Sequence, residues 1–464
     1  MLRQTSRKWL KQALLWSRVK LLYARITLNK FTTIYFIAAV INCIVLSAFQ
    51  GVAYSDNSMA GDLVESIVVN SNLTTGFTIE RDDALFYCAN VPKTINTCVP
   101  IIPGNSTFYD QNQKAITRIG SNHLQAHAHK SKGKRENDGW VTLDSTPVFD
   151  DSGETVGVML QSGAVLPMPC LQSFNWLSDL LRDARREDVV TLAFQIWMLS
   201  LSLVTILNES LPHLVASLAS HVLGTAWAAF RVANSKQQEK RYRNLVVRGL
   251  CDNVDIMGNW WEIRTSHTIP VIVFHLVALA VLLYLSTTLY KVYSQQSYGR
   301  VGASPVINNI YKFVLMLSVC LQLVGFFSIA STGMWVDKIL ALRSRDVVTH
   351  LPMYLASFIT VLVCEIPWVV LGWLSVRREN KILFFIFMVL STFILGISSF
   401  LFSSDLFRAT FNSWPFFATV TITSYVLLVA NFVLAIVCRM HFGKGLAQYL
   451  KVTETLEGID FTPV

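Results

Sequence analysis

FTTIYFIAAVINCIVLSAFQGVA, residues 31–53, follows an opening stretch that holds eight cations (Arg3, Arg7, Lys8, Lys11, Arg18, Lys20, Arg25 and Lys30) and no acid. A helix rises about 1.5 Å per residue, so this run crosses a hydrocarbon core of about 30 Å. Inside lipid every backbone N–H and C=O must pair within its own segment, which leaves helix as the only state at this length. The run is far longer than the roughly 7–15 apolar residues of a cleaved signal. It therefore reads as a signal anchor, with the cationic tail holding the N-terminus in the cytosol. The tail interleaves Trp9, Leu10, Ala13, Leu14 and Trp16 with its cations, a composition suited to lying on anionic lipid and shared by mitochondrial presequences.

The rest of the chain agrees with that start. Of 464 residues 52% are hydrophobic and only 15% charged, with a mean hydropathy of +0.43; soluble domains carry about 25% charge. The net charge of +9 belongs to the tail, because the remainder balances 31 Lys/Arg against 30 Asp/Glu. A disordered chain and a soluble globule are excluded, and nucleic acid is a poor partner. The expected partner is the lipid bilayer of the plasma membrane, with an endomembrane as the alternative.

Six further stretches qualify as spans: 189–207, 268–290, 313–335, 351–376, 382–402 and 415–438. One more, 214–230, is short and carries His213, Ser217, Ser220 and Gly224 as a polar stripe down one helix face. It reads as an interfacial helix or as an eighth span facing a partner, with Asn208-Glu209 and Pro212 making the break before it. Cytoplasmic loops are enriched in Lys/Arg. Seven spans place 19 inside and 8 outside in short segments, whereas eight spans give 16 and 11. Seven is favoured. The expected fold is an all-α polytopic membrane bundle of seven spans, with eight as the alternative and an α+β extracellular domain between the first and second spans. Its parts are a cytosolic tail 1–30, the anchor 31–53, an outer domain 54–188, span 189–207, a cytosolic loop 208–267, a five-span bundle 268–438 and a C-terminal tail 439–464.

The outer domain is long enough to bury its own core. It carries sequons at Asn72 and Asn105 and three of eight cysteines, Cys88, Cys98 and Cys170. Outside the cytosol a disulfide is expected; Cys88–Cys98 closes a short loop, Cys170 with either is the rival, and one cysteine is left over. Cys251 counts with the cytosolic and membrane thiols. Alternating Val156, Val158 and Leu160 after the turn Asp150-Asp151-Ser152-Gly153, with Val148-Phe149 before it, predict a β-hairpin within 140–164. His123, His127 and His129 stand among Lys130, Lys132, Lys134 and Arg135; those cations oppose metal binding, and the segment reads as a solvated loop. No metal or cofactor is implied. Enzyme signatures are absent: there is no H-E-x-x-H, G-x-S-x-G or phosphate-cradling glycine loop.

Within the seven spans the ionisable groups are Glu365 and His275. A buried acid is costly and marks a functional site by default. Glu365 stands two residues before Pro367, and with no cation in the core it holds its proton or faces a hydrated cavity. Asn42, Gln195, Gln322, Asn431 and His275 are its expected hydrogen-bond partners or plain interhelical glue.

Two resemblances add expectations. The hairpin and its place between two membrane helices resemble Cache/PAS-type sensor domains, whose long first helix would fall near 58–70; no ligand-contacting residue carries over. Asn208-Glu209-Ser210, His213-Leu-Val-Ala-Ser-Leu, Ala226-Trp227, Arg300-Val-Gly-Ala-Ser, Val376-Arg-Arg-Glu, Phe442-Gly-Lys-Gly-Leu and Asp460-Phe-Thr-Pro resemble a fungal, mainly basidiomycete, family of multi-pass membrane proteins. The relative it points to is a plasma-membrane member of a smut-fungus tumour-induction cluster. That likeness implies location, virulence or surface sensing, and no assigned reaction. The expected function is a receptor or scaffold with an extracellular ligand- or partner-binding domain and a cytosolic partner at 231–248. A transporter or lipid-handling protein working through Glu365 is the alternative.

Overall fold

The computed structural model describes residues 22–70, 77–81, 84–88, 98–102, 145–149, 155–160, 163–299, 305–343 and 351–444. Both sequons, the His123–His129 cluster and the end of the C-terminal tail lie outside the described residues.

Among the described residues eight helices are long and apolar enough to cross a membrane. They are α1 (Lys30–Asn70), α2 (Met168–Asn208), α3 (Leu211–Arg241), α4 (Trp260–Gly299), α5 (Pro305–Arg343), α6 (Leu351–Arg377), α7 (Lys381–Leu401) and, after the short α8 (Asp405–Ser413), α9 (Pro415–Met440). Their outer faces are apolar in the way lipid requires. Ile34, Ile37, Ile41 and Ile44 of α1 are half-exposed at steps of three and four, while Tyr35, Ala39, Asn42 and Leu46 are buried on the other side. Val363, Ile366 and Val370 make the same stripe on α6, and Val426, Val429 and Val433 on α9.

α2 ends at Glu209, whose φ of 45° turns the chain, and α3 restarts at once with Pro212 in its first turn, where a missing N–H costs nothing. The expected break is therefore a tight reversal between two antiparallel helices. On α3 the polar stripe turns inward: His213, Ser217 and Ser220 are buried, and Val215 and Val222 are exposed. Tyr35 Oη and Ser202 Oγ lie 3.0 and 3.4 Å from Ser217 Oγ. The stripe's partners are α1, α2 and α4 of the same chain.

The head is built on helix ends. α1 and α2 each run 41 residues without a break, so the helix expected near 58–70 is the upper part of α1. Two antiparallel three-stranded sheets pack with them: β1 (Phe77–Arg81), β2 (Ala84–Cys88), β3 (Val99–Ile102), and β4 (Ser145–Phe149), β5 (Thr155–Leu160), β6 (Val165–Pro167). The predicted hairpin is present as β4–β5, in register from Ser145↔Leu160 to Val148↔Gly157, and β6 extends it. In the core Ala60, Val64 and Ile67 of α1 meet Leu171, Phe174 and Leu177 of α2 together with Leu85, Val158 and Leu166. Tyr242, Val246 and Met257 from the connection between α3 and α4, with Trp260 and Trp261 at the start of α4, belong to the same cluster. The head's core thus draws on residues well beyond 54–188.

That packing corrects one expectation and bears on a second. Cys88 pairs with Cys98, but Cys170 pairs with Cys251, so no cysteine of the head is left over. Seven-span threading puts Cys170 and Cys251 on opposite faces of the bilayer and does the same to Asp183 with Lys338, Arg186 with Asp337, and Glu187 with Trp414. Each of these pairs is in contact. The geometry fits the eight-helix alternative. At the far end Arg25 bonds Glu209 and the Gly443 N–H donates to Glu379 Oε2. The Lys/Arg count weighs all six cations of 231–248 alike, yet three are paired with acids where they stand: Arg231 with Asp188, Arg241 with Glu80, Arg243 with Glu239. The positive-inside bias concerns cations in free short loops.

Candidate functional site

Val189 opens the apolar run of α2, and the residues just before it are acids. Asp188 has no exposed side-chain surface. Its Oδ1 accepts from Gln50 Nε2 at 2.5 Å and from Arg231 Nη2 at 2.6 Å, and its Oδ2 accepts from Asn57 Nδ2 at 2.5 Å. Gln50 and Asn57 stand two turns apart on one face of α1, and Arg231 closes the apolar run of α3. One carboxylate therefore clasps three helices where the head meets the bundle.

A wider polar ring surrounds the clasp. Glu187 Oε1 accepts from Trp414 Nε1 at 2.8 Å at the start of α9. Arg186 reaches Asp337 on α5 at 2.6 Å, and Lys338 bonds Asp183 and covers the Trp414 ring at 5.1 Å. Asp56 takes His267 Nδ1 at 2.7 Å and, through its carbonyl, Trp260 Nε1 at 3.0 Å. Arg264 stacks 5.0 Å above Trp260, with one Nη1 finding no partner among the described residues. Buried charges persist only when paired and hydrogen-bonded. Here the acids of α2 are met by cations of α3 and α5, so the ring binds helices together rather than presenting an open charge.

Below the clasp lies a cavity of about 80 Å³. Gln50 and Arg231 border it above; Gln195 of α2 and His275 of α4 reach it from below, with Phe194, Trp227 and Phe416 forming walls. Gly224 lets α2 and α4 come close to α3: a Cβ there would stand 3.3 Å from the Phe194 ring and 3.5 Å from that of His275. His275 therefore lines space and does not bind Glu365.

Glu365 is 1% exposed on α6. Ser328 of α5 donates to its Oε1, and Oε2 has no partner among the described residues. None of the five expected partners bonds to it. Among the described residues Asn42, buried on α1, has Oδ1 unpaired and Asn431, buried on α9, has both amide atoms unpaired; Gln322 is half-buried on α5. Glu365 is not among the residues lining the cavity. The basic segment 231–248 is likewise not a free loop: Arg241 bonds Glu80 of β1, and Lys236, Lys240, Arg243 and Arg248 border an open groove shared with Glu262. Among the described residues no group of three or more His, Cys, Asp or Glu is arranged to hold a metal.

Sequence reasoning missed Asp188, Arg231, Gln50 and Asn57. The available signal was positional: an acid immediately before one apolar run and a cation immediately after the next lie at the same depth only if 214–230 crosses. His221, buried on the same helix as the His213 stripe, was missed for the same reason.

No family model, curated protein or solved structure matches this chain.

Proposed function

We propose that all eight helices cross the plasma membrane, with both termini in the cytosol and the head outside, and that the protein is a sensor or receptor. The head binds an extracellular ligand or partner, and the bundle carries the response inward. The observation that carries this reading is the continuity of α1 and α2 from lipid into the core of the head, clasped at the crossing point by Asp188. A helix is stiff over such lengths, so a change that slides α1 against α2 in the head cannot be absorbed at a hinge. It must pass the clasp, where two bonds join Asp188 to α1 and one joins it to Arg231 of α3. A buried bonded carboxylate favours discrete arrangements over graded ones, because any half-open state leaves charge unpaired. Surface sensing during host infection is the setting implied by the fungal resemblance.

The test is complementation of a deletion strain. A chain in which 72–166 is replaced by a short flexible linker, leaving both long helices intact, is expected to reach the surface and fail to restore the phenotype. Asp188→Asn, which keeps the side-chain size, should impair the response at normal surface level. Full complementation by the headless chain would remove the sensor reading.

The transporter reading rests on one observation, the unpartnered Oε2 of a buried Glu365. It requires Glu365→Gln to abolish function with the head intact; the sensor reading expects that variant to complement.

A further inference from the structure

The cavity beneath the clasp holds more hydrogen-bonding capacity than the protein uses. Trp227 Nε1 is buried with no acceptor among the described residues. Gln195 and His275 are 6% and 7% exposed, line the space, and make no hydrogen bond among the described residues. Three polar side chains from three helices converge on one apolar chamber without satisfying each other. A buried polar group left unpaired is costly, so Trp227 Nε1 above all calls for a partner.

The chemistry of that partner follows from the lining. The charged side chain at the rim, Arg231, is already bonded to Asp188, and no acid lines the space. A charged ligand would therefore meet no counter-charge at low dielectric. The indole N–H donates only, so the ligand must carry an acceptor; Gln195 offers both a donor and an acceptor. A hydroxyl or carbonyl oxygen satisfies both. Gln50 is taken up by Asp188, and the hydroxyls of the four lining threonines bond their own helix backbones; the rest of the wall is aromatic and aliphatic, from Phe194 and Phe416 to Leu223 and Val420. The chamber opens sideways. Thr268 and Val271 of α4 and Thr419 and Thr423 of α9 border it, those two helices have no extensive packing on each other, and their neighbours Ile269, Val273 and Ile422 are exposed to lipid.

We infer that this cavity is a binding site for a neutral membrane lipid, which enters between α4 and α9 and places an uncharged hydroxyl or carbonyl oxygen among Gln195, Trp227 and His275. The 80 Å³ chamber takes the oxygen-bearing end, and the apolar body lies along the window. A sterol and a diacylglycerol share this chemistry.

The full chain in lipid nanodiscs is exposed in separate arms to a photoreactive sterol, a photoreactive diacylglycerol and a photoreactive fatty acid, and the adducts are mapped by mass spectrometry. Labelling by either neutral probe within 223–228, 268–275 or 419–423 is expected, and whichever arm gives it names the source. The fatty acid, anionic at neutral pH, should label these segments no more than it labels the outer face of α7. His275→Leu and Gln195→Leu strand no protein partner, so the variants should unfold at the wild-type temperature while losing about tenfold in probe affinity, the equivalent of one buried hydrogen bond. Gly224→Val, which intrudes on the chamber, should block labelling. Failure of both neutral probes to label these segments, labelling unchanged in all three variants, or equal labelling by the fatty acid would overturn the inference.

Discussion

Asp188 is the residue on which the head–bundle joint turns, and its energetics are asymmetric. Removing one member of a buried ion pair leaves the other uncompensated, at about 3–5 kcal/mol, whereas replacing both by apolar groups of similar size is close to neutral. Asp188→Ala strands Arg231, whose side chain is 12% exposed, and two amide donors from α1. We expect a destabilisation of about 3–5 kcal/mol in denaturant titrations of the detergent-solubilised protein. Asp188→Leu combined with Arg231→Met should recover a large part of it. Strict additivity of the two single losses would mean that the pair is not coupled. Trp414→Phe tests the ring around the clasp: it keeps the stacked contact with Phe417, loses the bond to Glu187, and should cost about 1 kcal/mol.

At the scale of elements, the placement of α3 depends on a covalent link. Cys170 at the start of α2 is bonded to Cys251 beyond the end of α3, across 81 residues of sequence. Peptide mapping without reduction should recover Cys88–Cys98 and Cys170–Cys251 and no other bridge among Cys88, Cys98, Cys170 and Cys251. Chain-entropy reasoning caps the second bridge at about 4–5 kcal/mol, and helices that stay inserted when the head unfolds reduce that. Close approach of α6 to its neighbours depends on Gly372, where a Cβ would stand 2.7 Å from the Phe387 ring and 3.0 Å from Leu321. Gly372→Val should therefore overpack the α5–α6–α7 contact by about 1–3 kcal/mol, read as a lower unfolding temperature. Gly396, whose Cβ would meet nothing, should accept alanine without loss.

For the whole molecule the proposed threading makes a prediction independent of any ligand. Epitope tags at residues 1 and 464 should both bind antibody only after the cells are permeabilised. Asn72 and Asn105 should carry glycans that an endoglycosidase removes. A C-terminal tag reactive on intact cells would restore an odd number of crossings, and it would contradict the contacts of Glu187 with Trp414 and of Arg186 with Asp337. Legibility in the sequence was uneven at this scale. The seven long runs and the β4–β5 hairpin could be read directly, because length, apolarity and alternation are properties of each segment alone. Cys170's partner, the source of the head's tryptophans and the clasp could not, since each joins residues far apart in the chain.

Segment by segment, then, residue order decided which stretches are helices in lipid, since the bilayer makes its demand for internal hydrogen bonding on every segment separately. Whether 214–230 is one of them was not decidable that way. Its stripe of His213, Ser217 and Ser220 is too polar to face lipid, and it becomes admissible only when Tyr35, Ser202 and the packed faces of α1 and α2 cover it. Tertiary structure also brought Asp188 and Arg231 to one depth, because a charge pair forms where two helices meet and no local pattern records which ones do.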